Sequence, residues 1–211
     1  MSAAEAPDMT FDEFLRFEVT ATLRHELWGG QPVVVQGKPA DAVDLAGNVL
    51  RCLDRLREDR SDFRCHTSSM MVYVPQPERG LYPSISALAG EREFVVDETG
   101  ELHALKNPQL VVQVMTRQTA AVDLGVKADL YAAVPSLSEY VVIDPTTHWV
   151  RVHRRVRSGW SISTVAGPDA CVLLDSVGAE LSMSNLYWDL EPGEHSRVMQ
   201  SWPVEGLPPV D

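Results

Sequence analysis

Apolar residues recur along this chain at helical spacing in some stretches and as short continuous runs in others. Thr10-Phe11-Asp12-Glu13 has the Thr-x-x-Glu form in which hydroxyl and carboxylate cap a helix start reciprocally. Phe11, Phe14 and Leu15 then supply one apolar face, which predicts a short helix. Leu27 to Val35 reads as two strand pieces around Gly29-Gly30, with Pro32 at the start of the second, where its missing N–H costs least. Leu45, Val49, Leu50, Leu53 and Leu56 predict an amphipathic helix from Ala40 to Glu58. Met70 to Val74 and Ile85 to Leu88 read as strands, and the polar, glycine-interrupted stretch Glu91 to Asn107 as a long loop or an excursion. Leu110 to Met115 is a continuous apolar strand broken only by Gln113. Ala120 to Ala133 predicts a second helix with Leu124, Leu130 and Tyr131 facing inward. Tyr140 to Ile143 is another buried strand, stopped by Asp144-Pro145. Val150 to Val156 and Trp160 to Val165 flank Arg157-Ser158-Gly159 as a hairpin, and Ser184 to Tyr187 forms a last helical turn.

Helix, hairpin, helix, strands, helix, strands is the order of an α/β protein with a mixed sheet flanked by helices. A chain of 211 residues suits one domain, here expected over residues 10–191 between irregular tails at 1–9 and 192–211. No run of about eighteen apolar residues is present, so no membrane span is expected. The first residues lack the basic and apolar regions of a secretory signal. Cys52, Cys65 and Cys171 are scattered and odd in number, which reads as free thiols of a cytoplasmic protein. Thirty acidic residues against 18 basic ones give a formal charge of −12. That field repels a phosphate backbone on average, so any nucleic-acid binding is expected to be weak and to need a local basic patch.

A series of short segments adds a resemblance. In order they are Arg24-His25-Glu26-Leu27 with Gly30, Ala46-Gly47-Asn48, Tyr82-Pro83, and Asn107-Pro108-Gln109-Leu110-Val111-Val112. Asp123-Leu124-Gly125-Val126-Lys127 with Tyr131, Pro135-Ser136-Leu137-Ser138-Glu139-Tyr140, and Asp144-Pro145 follow. From about Thr10 to Asp189 the chain resembles the bacterial Uma-type putative restriction endonucleases, which have the PD-(D/E)XK nuclease core. The resemblance implies a restriction-endonuclease-like fold. It also implies an ancestry in phosphodiester cleavage by carboxylate-held Mg²⁺, with a lysine moved to the helix after the paired strands.

The chain departs from that pattern at the metal ligands. Ser84 stands where the family has the aspartate after proline, and Gln113 where it has the strand glutamate. Ser69 and Gln31 fall on two further carboxylate positions, and Ala42 on a histidine position. Glu26, Asp123, Lys127 and Tyr131 are retained. Neutral oxygens bind a hard divalent ion far more weakly than carboxylates do, so no metal is expected here. Lys127 and Asp123, four apart on a helix, are readable either as a simple ion pair or as a remnant of the site.

Other signals have plainer readings. The arginines at 151, 154, 155 and 157 and at 51, 55, 57 and 60 read as a solvated face rather than a phosphate-binding patch. The six histidines lack ligand spacing, and no glycine-rich phosphate loop or nucleophile elbow occurs. Three functions follow as expectations: an inactive pseudonuclease that binds or assembles, an active endonuclease with Mg²⁺ at a rearranged site of Glu26, Asp123 and Lys127, and a structural subunit of a larger assembly. A homodimer or another protein partner is expected from exposed strand edges.

Overall fold

The computed structural model describes residues 8–193, so most of both expected tails lies outside the described residues. The elements run α1 (Phe11–Thr20), β1 (His25–Trp28), β2 (Gln31–Val34), α2 (Ala40–Asp54), α3 (Leu56–Asp59), β3 (Phe63–Thr67), β4 (Met71–Pro75), β5 (Glu78–Leu81), β6 (Ile85–Ala89), β7 (Phe94–Val96) and β8 (His103–Leu105). Then come β9 (Leu110–Val114), α4 (Ala120–Leu124), α5 (Val126–Ala132), β10 (Glu139–Asp144), β11 (Trp149–Val156), β12 (Gly159–Ala166), β13 (Cys171–Leu174), β14 (Ala179–Ser182) and α6 (Met183–Leu186).

The central sheet has six strands in the order β12-β11-β10-β9-β6-β3. β9 and β10 are parallel, as a strand–helix–strand crossover through α4 and α5 requires, and the other neighbours are antiparallel. The strands predicted at Ile85 to Leu88, Leu110 to Met115 and Tyr140 to Ile143 are neighbours in this sheet. Because the middle of this sheet is covered on both sides, β9 and β10 are apolar on both faces rather than alternating. On one face α2 lays Leu45, Val49 and Leu53 against Val112, Val114, Val141 and Ile143. On the other, Leu124, Leu130 and Tyr131 of α4 and α5 meet Val111, Tyr140 and Val142.

Several elements differ from the sequence reading. Glu91 to Asn107 holds β7 and β8 rather than only loop. They join β4 and β5 in a second sheet ordered β5-β4-β8-β7, and three-residue strands are too short to show a period. β3, β5, β13 and β14 were also not expected. β3 is an edge strand with one fully buried residue, and β5 begins with charged Glu78 and Arg79, so neither carries a clean alternation. The helix from Ala40 to Glu58 stops at Asp54 and restarts at Leu56. That from Ala120 to Ala133 breaks at Gly125 (φ −112°, ψ −98°), outside helical dihedrals. The Thr10 cap forms as expected, with Thr10 N–H donating to Glu13 Oε2 at 2.8 Å and Glu13 N–H to Thr10 Oγ1 at 3.3 Å. Gly80 lets α1 lie close to the second sheet. A Cβ there would come within 2.6 Å of Met71 Sδ and 2.9 Å of Phe14 Cε1.

Glu139 pins the β13–β14 hairpin to the central sheet. Its buried carboxylate accepts from Arg154 Nε at 2.7 Å, Ser176 N–H at 2.9 Å, Asp175 N–H at 3.2 Å and the Ser176 hydroxyl. Glu139→Ala leaves these donors without an acceptor and should cost about 3–5 kcal/mol in urea denaturation. Arg16→Ala, which breaks an exposed pair with Glu98, should leave the denaturation midpoint unchanged.

Candidate functional site

β6 and β9 set the site. Their antiparallel register pairs Ile85 with Val112, which brings the preceding Ser84 opposite Gln113. Alternation then turns Gln113 away from the α2 face, toward α4 and α5, along with Val111. Gln113 lies at the floor of a cleft of about 520 Å³; Ser84 lies next to it, in contact with the cleft-lining Lys38, and its hydroxyl accepts the Val114 N–H at 2.9 Å. The β1–β2 hairpin forms one wall with Trp28 and Val33, and α4 and α5 form another with Val122, Val126 and Leu130.

Charge is concentrated inside this cleft. Glu26, 8% exposed, accepts Lys127 Nζ at 2.9 Å and the Tyr82 N–H at 2.9 Å through Oε1, and the Trp28 indole N–H at 3.1 Å through Oε2. Lys127 Nζ is also 3.9 Å from Asp123 Oδ1 across the break at Gly125. The pair predicted by spacing is therefore part of a three-residue buried cluster. Burial opposes the charge on Lys127, but Glu26 and Asp123 together outweigh it and hold its pKa above the ordinary lysine value. Asp123 is fully buried, neither of its carboxylate oxygens makes a hydrogen bond, and burial drives its pKa upward. Tyr131 is buried with its hydroxyl unpartnered, and its ring lies 5.0 Å from that of Tyr140.

Lys38 was not singled out from the sequence. It leaves the linker between β2 and α2 and reaches the cleft floor, where Nζ donates to Ser84 Oγ at 2.8 Å and to the Val114 carbonyl at 2.8 Å. Burial lowers its pKa to about 8, with Asp123 and Glu26 pulling it upward. A usable signal was present. Lysine is scarce in this chain, occurring at 38, 106 and 127 among 18 basic residues, and two of the three converge here.

Glu26, Gln113, Asp123 and Lys127 thus line one cleft, with Ser84 joined to it through Lys38 and the buried Tyr131 behind Glu26 and Asp123. Ser69 and Gln31 stand apart from the cleft floor. Ser69 is exposed and accepts from Arg24, while Gln31 donates to Asp8. Ala42 is buried on α2 in the core of the opposite face.

A Mg²⁺ ion does not fit these residues. Ser84 and Gln113 are neutral, and the Ser84 oxygen and Val114 carbonyl already take a cation from Lys38. Glu26 is engaged through both oxygens, and Asp123 sits where burial disfavours its charge. Among the described residues, no group of three or more His, Cys, Asp or Glu side chains is placed to hold a metal ion.

Five of the eight arginines in the two sets have hydrogen-bond or ion-pair partners within the fold. Arg154 binds Glu139 and Asp175, while Arg155 donates to the carbonyls of Ala132, Val134 and Leu137 and lies over Trp160. Arg51 and Arg60 donate to the carbonyls of Asn185 and Val177, and Arg57 pairs with Asp54.

Comparison with known proteins bears on the family and the fold. The profile of the Uma2 family, described as a putative restriction endonuclease, matches residues 11–185. An uncharacterized protein of Synechocystis sp., sll1609, is 27% identical over 171 residues, 81% of this chain and 94% of the relative. A second from the same organism, slr1290, is 24% identical over 188 residues, 88% of this chain and 94% of the relative. The crystal structure of a putative nuclease belonging to DUF820 from Anabaena variabilis superposes with a TM-score of 0.67 at 18% identity, covering 84% of this chain and 97% of that one. That likeness establishes a restriction-endonuclease-like fold.

Two outcomes follow from the buried charges. Lys127→Met strands Glu26 and Asp123 and should cost about 3–5 kcal/mol, while pairing it with Glu26→Gln should recover part of that loss in a urea double-mutant cycle. For Lys38 the folded pKa of about 8 lies below the unfolded 10.5, so the unfolded state binds more protons between them. Stability of the wild type relative to Lys38→Met should therefore rise as pH rises from about 8 to 10.5, as read by urea midpoints at both ends of that window.

Proposed function

We propose that this chain, which belongs to the Uma2 family of putative restriction endonucleases, is a catalytically inactive pseudonuclease that acts by binding or assembly. The observation that carries the reading is the floor of the cleft. The positions that the family resemblance assigns to metal-holding carboxylates are Ser84 and Gln113, and the Ser84 hydroxyl is engaged by Lys38. Cleavage in this fold needs a metal-held water as nucleophile and a cation beside the scissile phosphate. Without carboxylates at these positions both are lost together, a defect of many orders of magnitude in rate.

Glu26, Asp123 and Lys127 would have to supply an alternative site for Mg²⁺. Their present contacts count against it. Glu26 is held by the backbone of Tyr82 and the indole of Trp28 as well as by Lys127, so it serves as a structural acceptor. A purely structural subunit is the remaining reading, and the open cleft of about 520 Å³ favours a binding role over it. The charge of −12 and the internal use of the arginines support a protein partner or a second copy over nucleic acid. The exposed edge strand β12 supports a homodimer.

The wild type should leave plasmid and single-stranded DNA intact with Mg²⁺ or Mn²⁺. Robust cutting that disappears in Glu26→Ala or Lys127→Ala would overturn the proposal in favour of the rearranged site. Light scattering over a wide concentration range should show a dimer, and a monomer throughout would remove the homodimer from the reading.

A further inference from the structure

The cleft does not fit a divalent metal, yet a cation stands at one of the two ligand positions, on Ser84 and the backbone next to Gln113, while the buried Gln113 Oε1 has no hydrogen-bond partner. We propose that Lys38 is a tethered cation that has taken over the place and the charge of the metal, so that the cleft is held in its working state without any ion. This rests on the reading of Ser84 and Gln113 as former metal-ligand positions.

Position is the first argument. Nζ of Lys38 lies 2.8 Å from Ser84 Oγ on the segment leading into β6 and 2.8 Å from the Val114 carbonyl on β9. Val114 follows Gln113 directly. An ion joining carboxylates at positions 84 and 113 would lie in this same space between the two strands. An ammonium seated there excludes it by volume and by charge.

Charge balance is the second. Glu26 and Asp123 face Lys127, and all three act electrostatically on Lys38. Burial disfavours the charge on Asp123, and Lys127 and Lys38 oppose that effect; with both carboxylates ionised, Lys127 alone leaves one negative charge, which Lys38 offsets. An aspartate at 84 and a glutamate at 113 would add two negative charges, the amount a divalent ion offsets. Loss of both carboxylates together with the ion leaves the cluster at one net negative charge, and Lys38 brings it to neutrality.

The third argument is the tether. Gly37 and Pro39 are exposed, whereas Lys38 is partly buried, so the backbone stays at the surface while the four-carbon stem carries the charge inward. Lysine suits this role because its ammonium is a compact point charge, whereas guanidinium is a flat fork. With a pKa of about 8 the amine is protonated at neutral pH. Two of its three N–H donors are used by Ser84 and Val114.

Mn²⁺ titration calorimetry and thermal unfolding with and without Mn²⁺ test the idea on three proteins: wild type, S84D/Q113E, and K38M/S84D/Q113E. The wild type should show no saturable binding at the cleft. The double variant should bind at least about tenfold more weakly than the triple variant, because Lys38 neutralises the new carboxylates first. Only the triple variant should gain thermal stability with Mn²⁺. Equal binding by double and triple variants, or no binding by a folded triple variant, overturns the proposal. A second readout uses S84D alone, with lysine amines labelled by ¹³C-methylation. The Lys38 resonance should titrate at higher pH than in the wild type, since a carboxylate now abuts it. An unchanged titration overturns the proposal as well. These binding readouts do not depend on cleavage. DNA cutting by the wild type would therefore defeat the pseudonuclease reading by itself, leaving the place of Lys38 to be decided by Mn²⁺.

Discussion

A carboxylate taken out of water must be surrounded by donors, and Glu26 is the carboxylate around which this molecule closes. It is 8% exposed and receives a lysine, a backbone N–H and an indole N–H. Those donors come from α5, from the segment before β6, and from the same hairpin as Glu26 itself. One side chain thereby fixes the hairpin wall, the helix wall and the floor of the cleft relative to one another. The neighbouring Glu18 does similar work one layer out. It accepts the His25 N–H at 2.9 Å and the Tyr82 hydroxyl at 3.1 Å, which ties α1 to β1 and to the start of the floor. Removing such an acceptor would leave several buried donors unpaired at once, a larger loss than any single hydrogen bond represents.

Much of this was legible in the sequence where one physical signal dominated. The capping residues of α1, the spacing of Leu45, Val49 and Leu53, and the runs at β9 and β10 each reflect burial that local chemistry records directly. Gln113 stood out because a polar residue inside a run buried on both faces has few structural reasons to be there. Short or edge elements were not legible. β7 and β8 have three residues each, and β3 has only one fully buried side chain, so neither period nor apolarity marks them.

The site was only partly readable for a different reason. Asp123 and Lys127 are close in sequence, and their spacing announced them. Glu26 and Lys127 are 101 positions apart and Lys38 and Ser84 are 46 apart, distances that no local pattern encodes. A lysine between glycine and proline looks like an exposed linker residue, as its neighbours Gly37 and Pro39 are. Its place inside the cleft follows from the sheet register and from the length of its side chain. The depressed pKa of this amine and the raised pKa of Asp123 show that the cluster is held at some cost in stability. Such costs concentrate where a surface is shaped for a task rather than for folding alone.

The covalent attachment of Lys38 changes the thermodynamics of occupancy. A free ion fills its site according to its concentration, and a chelator or a competing ion can empty it. A charge on the same polypeptide has a fixed effective concentration set by the reach of its linker, independent of the surrounding solution. The contact between Lys38 and the floor is thus intramolecular, and the charge on Lys38 depends on proton activity. If Lys38 holds the place of an ion, the solution variable that sets its charge is proton activity rather than ion concentration.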